Sequence, residues 1–268
     1  MKIFDYHMHS TFSFDGKATP DEQCAAAVEK GIGGLCFTEH FSVDPKDVSF
    51  GVLNYADYHK AIENCREKFS DRLEICRGLE IGEPQLEPYE GDLKKVLKEM
   101  TLDFIIGSIH NIDSVKLRLY MQDKTKDELY TNYFGEIFKM ADRSDIDIIG
   151  HLDLVKMYGV IAGFGNYDFK KYYEILRDIL KRATERGIGI EINTAGWRKD
   201  AKEQYPQYEV LTLYKELGGE IVTLGSDAHK TKDLAADFDK AAELLKNAGF
   251  KNYFRYAERK AYAVSLYD

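Results

Sequence analysis

Seven times along this chain a short apolar run rich in β-branched residues gives way to a stretch of helical periodicity, and nearly every apolar run ends on a polar or charged residue. The apolar runs are "KIFDY", "GGLCFTEH", "LEICRGLEIGE", "LDFIIGSIHN", "IDIIGHLD", "GIGIEIN" and "EIVTLGSDAH". Between them lie "TPDEQCAAAVEKGIG", "YADYHKAIENCREKF", "EGDLKKVLKEM", "TKDELYTNYFGEIFKMA", "DFKKYYEILRDILKRATERG" and "YEVLTLYKELGG". Continuous apolar strands alternating with amphipathic helices predict a parallel sheet covered by helices. An open doubly wound sheet and a closed barrel both satisfy that alternation. The barrel is favoured, because polar residues at nearly every strand end suit a ring whose carboxyl-end face builds one site, whereas an open sheet gathers ligands mainly at one switch point. The expectation is an α/β fold, a TIM-like barrel of β/α units.

No proline-rich linker or low-complexity segment divides the 268 residues, so one domain over 1–268 is expected. The first helix is marked by Thr19 as cap, Pro20 in the first turn, Glu22 completing a capping box and Gly31 as the stop. The formal net charge is −9 and no lysine or arginine block forms a stripe, which argues against binding a nucleic-acid polymer. No apolar run approaches the roughly 18 residues that span a bilayer, so no membrane partner is expected. The first residues lack a secretory signal pattern, and Cys24, Cys36, Cys65 and Cys76 have neither zinc-finger spacing nor disulfide-scaffold density. A cytoplasmic location follows as an expectation. Nothing in the sequence specifies an oligomeric state.

Of the seven histidines, His7, His9, His40, His110, His151 and His229 fall at or just past the end of an apolar run, and His59 sits inside a helical stretch. A lone strand-end imidazole is more often a packing residue than a ligand. Six in equivalent places are another matter. His7 and His9, two apart on a strand, project from the same face and can chelate one cation at a barrel mouth. His59 is read as a helix-surface or packing residue.

Three carboxylates join them: Asp15 in "FSFDGK", Glu80 ending "CRGLE" and Asp227 in "GSDAH". Each has a plainer reading: Asp15 as a turn residue, Glu80 as the partner of a buried arginine, Asp227 as a helix cap. Together with the imidazoles they make nine donors, too many for one ion, because catalytic zinc takes about three or four protein ligands. Two or three divalent ions are implied, and a carboxylate such as Glu80 has the second oxygen needed to bridge them. These donors suit zinc, iron and manganese alike.

"YHMHS", "FTEH", "GLE", "IIGSIHN", "IIGHLD" and "GSDAH", in this order, resemble the PHP (polymerase and histidinol phosphatase) family over nearly the whole chain. The length, with no polymerase attached, and "EINTAGWRK" are most similar to the histidinol-phosphate phosphatase branch. The resemblance implies a distorted barrel of seven β/α units and a trinuclear centre. One metal would take His7, His9, Glu80 and Asp227; a second would share Glu80 and add His110 and His151; the third would take Asp15, His40 and His229. Asp15 stands where several branches carry histidine. The implied reaction is hydrolysis of L-histidinol phosphate to L-histidinol and phosphate, a step of histidine biosynthesis, by metal-bound hydroxide. Alternatives are phosphoester hydrolysis of nucleotides or other small esters, and a non-catalytic metal-stabilised scaffold. Retention of every donor argues against the scaffold.

A phosphate dianion calls for a counter-charge besides the metals, and Arg198 is the first choice because a guanidinium fork matches phosphate oxygens. Lys199 and Lys156 are further candidates. Asp227 or His229 could protonate the leaving alkoxide. Asp153, two after His151, either orients that imidazole or caps a helix.

Overall fold

The computed structural model describes residues 2–267, with Met1 and Asp268 outside the described residues. In chain order the main elements are β1 (Phe4–Asp5), α1 (Pro20–Glu29), β2 (Gly34–Phe41), α2 (Tyr55–Phe69), β3 (Glu74–Gly82), α3 (Glu90–Leu97), β4 (Phe104–Ser108) and α4 (Lys126–Arg143). They continue with β5 (Ile148–Ile149), α5 (Val155–Ile161), α6 (Tyr173–Glu185), β6 (Gly189–Asn193), α7 (Ala195–Arg198), α8 (Tyr208–Glu216), β7 (Val222–Gly225) and α9 (Phe238–Asn247). A hairpin, β8 (Asn252–Ala257) and β9 (Lys260–Ser265), ends the described chain.

Strands β1 to β7 pair in sequence order, each parallel to the next. The chain after β1 then closes the ring on the far edge: Tyr6 N donates to Leu224 O, Asp227 N to His7 O and His9 N to Ala228 O. The result is the expected seven-stranded, TIM-like α/β barrel. Its short seam is reinforced by Asp5, whose buried carboxylate accepts hydrogen bonds from Ser226 N at 3.0 Å and Ala235 N at 2.8 Å.

Local chemistry explains the outer layer. Thr19 and Glu22 form the capping box read from the sequence, and Thr125 with Glu128 forms a second one before α4. Gly31, at φ 69°, supplies the left-handed stop after α1 that a side chain would resist. In α6, Leu176, Ile179, Leu180 and Ala183 recur at helical spacing and are buried. Each of the larger three contributes about 1.5–3 kcal/mol by leaving water.

The C-terminal hairpin was not anticipated. It packs at the amino-end face: Tyr6 Oη donates to Tyr256 O at 2.6 Å, and the Phe104 and Tyr256 rings lie 4.8 Å apart. Its two-residue turn, Glu258–Arg259, has φ of 50° and 62°, so both residues are left-handed. Turns of that kind normally carry asparagine or glycine, and neither residue announces one.

Candidate active site

The carboxyl ends of the strands enclose a cavity of about 730 Å³. The parallel register of β2 and β3 sets His40 directly beside Glu80, leaving His40 Nδ1 2.8 Å from Glu80 Oε2. His9 Nε2 reaches the same oxygen at 3.6 Å. The other oxygen, Oε1, is approached by Nε2 of His151 at 2.8 Å, of His110 at 3.3 Å and of His7 at 3.4 Å. Five imidazoles therefore surround one buried carboxylate.

Asp227 and Asp15 complete the ring. Asp227 Oδ1 lies 3.5 Å from His9 Nε2, 3.6 Å from His229 Nδ1 and 3.9 Å from His7 Nε2. Asp15 stands 3.1 Å from His229 Nε2 and 3.6 Å from His40 Nε2. All nine side chains expected to gather at one face do so. His7 and His9 keep strand alternation although β1 itself ends at Asp5, because Met8 bridges Ala228 across the seam. Asp227 adopts φ 53°, a left-handed conformation that aspartate tolerates better than most residues.

The arrangement fits divalent cations. Nε2 of His7 and His9, Oε2 of Glu80 and Oδ1 of Asp15 are buried without a hydrogen-bond partner. Buried polar atoms crowded in this way are costly unless positive charge lies among them. Donor atoms of His7, His9 and Glu80, of His40, Glu80 and His110, and of His9, His40 and His229 each lie within 4.8 Å of one another.

Burial would push the Glu80 carboxyl up, but the charges of His7, His110 and His40 outweigh it and hold Glu80 well below the usual carboxylate range. The reciprocal effect raises His7 well above the ordinary imidazole value against its own burial, chiefly through Glu191 and Glu80. Burial likewise opposes the rise of His40, which Glu80 and Asp15 push up to about 10. His9 is lowered, by burial and by its neighbours His40 and His229.

Several supports were not read from the sequence. Glu191, in the middle of β6, accepts from His7 Nδ1 at 2.7 Å and from His151 N at 2.8 Å. Gly225 makes this possible: a Cβ there would lie 1.9 Å from Glu191 Oε1. Ser108 Oγ donates to Glu80 Oε1 at 2.7 Å, and Ser13 Oγ, held by Glu39, lies 3.1 Å from His9 Nδ1. Glu191 stands inside an otherwise apolar run, between Ile190 and Ile192, and an acid in a fully buried parallel strand was the signal available.

The secondary candidates divide. Arg198 and Lys199 line the cavity. Arg198 spends part of its fork on Thr194 and on Ser226 O at 2.5 Å. Lys156 is fully buried beneath the site, 2.9 Å from Glu203 and 3.3 Å from Asp153, so it is not a phosphate contact. Asp153 accepts from Tyr167 Oη and Gln207 N and does not bond His151; neither sequence reading of it holds. His59, half-buried on α2 beside Tyr55, is remote from the cluster, as expected.

The sequence profile of the PHP domain matches residues 5–195. Histidinol-phosphatase of Lactococcus lactis is 30% identical over 265 residues, covering 97% of this chain and 96% of that protein. The chain belongs to the PHP domain family. Histidinol-phosphatase of Saccharomyces cerevisiae is more distantly similar, 22% identical, with 96% of this chain and 92% of that protein aligned. The crystal structure of the Lactococcus lactis histidinol phosphate phosphatase, complexed with zinc, L-histidinol and phosphate, superposes with a TM-score of 0.86. It is 29% identical, and the match covers 97% of this PHP chain and 99% of that one. Among the described residues, no helix is long and apolar enough to cross a membrane.

Proposed function

We propose that this protein is a metal-dependent phosphomonoesterase that hydrolyses L-histidinol phosphate to L-histidinol and phosphate. The observation that carries the reading is the cluster of nine donors, Glu80 among them and at its centre, in a chain similar, over nearly its whole length, to an enzyme crystallised with zinc, L-histidinol and phosphate. His7, His9, Glu80 and Asp227 would hold one ion, Glu80, His110 and His151 a second, and Asp15, His40 and His229 a third, with zinc, iron or manganese as the candidates. Such ions supply Lewis acidity, activating water near neutral pH and balancing the charge of the phosphoryl oxygens.

The chain's own groups do the rest. The cavity admits a small organic phosphate, and its lining includes Phe14, Val48, Leu154 and Met157 beside the donors, giving the organic part an apolar wall. The N–H groups of Arg198 left over from Thr194 and Ser226 pair with a phosphoryl oxygen. As water adds to phosphorus and the ester P–O bond breaks, the departing alkoxide takes a proton. Asp227 and His229, which both line the cavity, are the candidates to supply it.

We read the chain as one domain over 1–268, supported by a single buried cluster running from Phe4 to Leu266. Its four cysteines are unpaired, which fits the reducing cytoplasm. The test is phosphate release from histidinol phosphate against a panel of nucleotides and sugar phosphates. A clear preference for histidinol phosphate supports the reading, and a preference for a nucleotide overturns it.

A further inference from the structure

Tyr205 stands in the connection between α7 and α8, and its backbone exchanges two hydrogen bonds with Asn193 at the carboxyl end of β6, at 3.0 and 2.7 Å. That pairing delivers the side chain to the face of the barrel where the donors gather. The ring lines the cavity, is 1% exposed and is held on several sides. Lys156 Nζ lies 5.2 Å from its centroid, and the His151 ring meets it edge-on at 6.5 Å. A Cβ on Gly196 would come within 3.1 Å of its Cε2.

For all this fixation, the phenolic oxygen is buried and has no hydrogen-bond partner. The nearby Asp153 carboxyl accepts from Tyr167 and Gln207, and Lys156 is engaged by Glu203 and Gln204. Among the described residues, four cavity-lining side chains have a buried, unpartnered polar atom: Asp15, Glu80, His151 and Tyr205. The orphan atoms of Asp15 and Glu80 belong to the donor cluster, and His151 is unpartnered at Nδ1 while its Nε2 faces Glu80. A phenol is different. Burial, with Asp153 and Asp227 adding to it, keeps this hydroxyl protonated, so it offers a donor rather than a metal ligand. Unsatisfied buried donors are rare and call for a partner, and a protonated donor beside a cation cluster matches an anionic oxygen. Arg198, from the same connection, has already committed much of its fork to Thr194 and Ser226, so a phosphoryl group leaves an oxygen for a second donor.

We propose that the Tyr205 hydroxyl donates a hydrogen bond to a phosphoryl oxygen of the substrate, alongside Arg198. This rests on the phosphomonoesterase reading above.

The experiment compares the metal-loaded full chain with Tyr205→Phe, which keeps the ring and its packing. Binding of inorganic phosphate is measured by calorimetry and hydrolysis of histidinol phosphate by steady-state kinetics. Hydrogen bonds to charged groups set the scale, so the phosphate dissociation constant should rise about tenfold and kcat/KM should fall about 10–100-fold. Metal content should not change, and the melting temperature should hold or rise, because the variant removes an unpaired buried donor. Unchanged phosphate affinity overturns the proposal, and a lower melting temperature with unchanged phosphate affinity does so too, by showing a structural hydroxyl satisfied through water. Should the wild type prefer another phosphate ester, the substrate reading fails, while the phosphate titration still tests Tyr205 on its own.

Discussion

His7 Nδ1 and Glu191 Oε1 lie 2.7 Å apart, both fully buried, so the imidazole donates to the carboxylate and presents Nε2 to the donor cluster. Glu191 thereby selects the His7 tautomer that leaves Nε2 free toward the cluster, and it also accepts from the His151 backbone N–H, tying two donor segments to β6. Glu191→Gln should lower metal affinity by about 10–100-fold, the usual effect of removing such an outer partner. A competitive chelator titration checks this, and unchanged affinity would show that the tautomer is set elsewhere.

Glu80 has the larger role. Glu80→Gln removes the anion that five imidazoles share. Its cost to metal content and turnover should exceed the about 10–100-fold typical of outer partners. The folded core should survive, since the side chain makes only one protein hydrogen bond besides those with histidine, from Ser108. Elemental analysis with circular dichroism separates the two effects.

Arg198→Ala should raise KM about 10–100-fold, the range for a lost charge-assisted hydrogen bond, with a smaller fall in kcat. His59→Ala is the control: turnover should stay within a few-fold and stability within about 0.5 kcal/mol. Steady-state kinetics on both variants checks the pair.

At the opposite end of the barrel, Asp147 accepts from Arg259 Nε at 2.6 Å and from Ile105 N at 2.7 Å. Burial, opposed by Arg259, pushes this carboxyl up to about 6. A carboxyl raised in the folded state favours folding most below its unfolded value of about 3.9 and loses that advantage as pH rises through about 6. Arg259→Ala removes the counter-charge that limits the loss. The variant should be destabilised by about 1.5–3 kcal/mol at pH 8, with the deficit shrinking as pH falls below 6. Urea unfolding at several pH values measures it, and a deficit independent of pH would mean that Arg259 acts through packing alone.

The barrel was legible because each strand is a continuous apolar run with a polar end, and the gathering of the donor side chains was legible because strand alternation converts the spacing of His7 and His9 into a shared direction. The register that sets His40 beside Glu80 was not, since nothing local in either strand states its offset from the other. Glu191 was hidden for a related reason: its partner lies 184 positions away, and its role exists only once the ring closes. Lys156 misled because a lysine just after a strand end resembles a phosphate contact, whereas the fold turns it beneath the site to meet Asp153 and Glu203. The C-terminal hairpin escaped because its turn residues, Glu258 and Arg259, lack the usual turn chemistry.

The most direct test measures metal content and phosphate release on one preparation. With Glu80 at the centre of the ring, the protein should carry about two or three divalent ions per chain, lose histidinol phosphate hydrolysis on chelation, and regain it with zinc, iron or manganese. A metal-free preparation that hydrolyses the ester at the full rate would contradict the account.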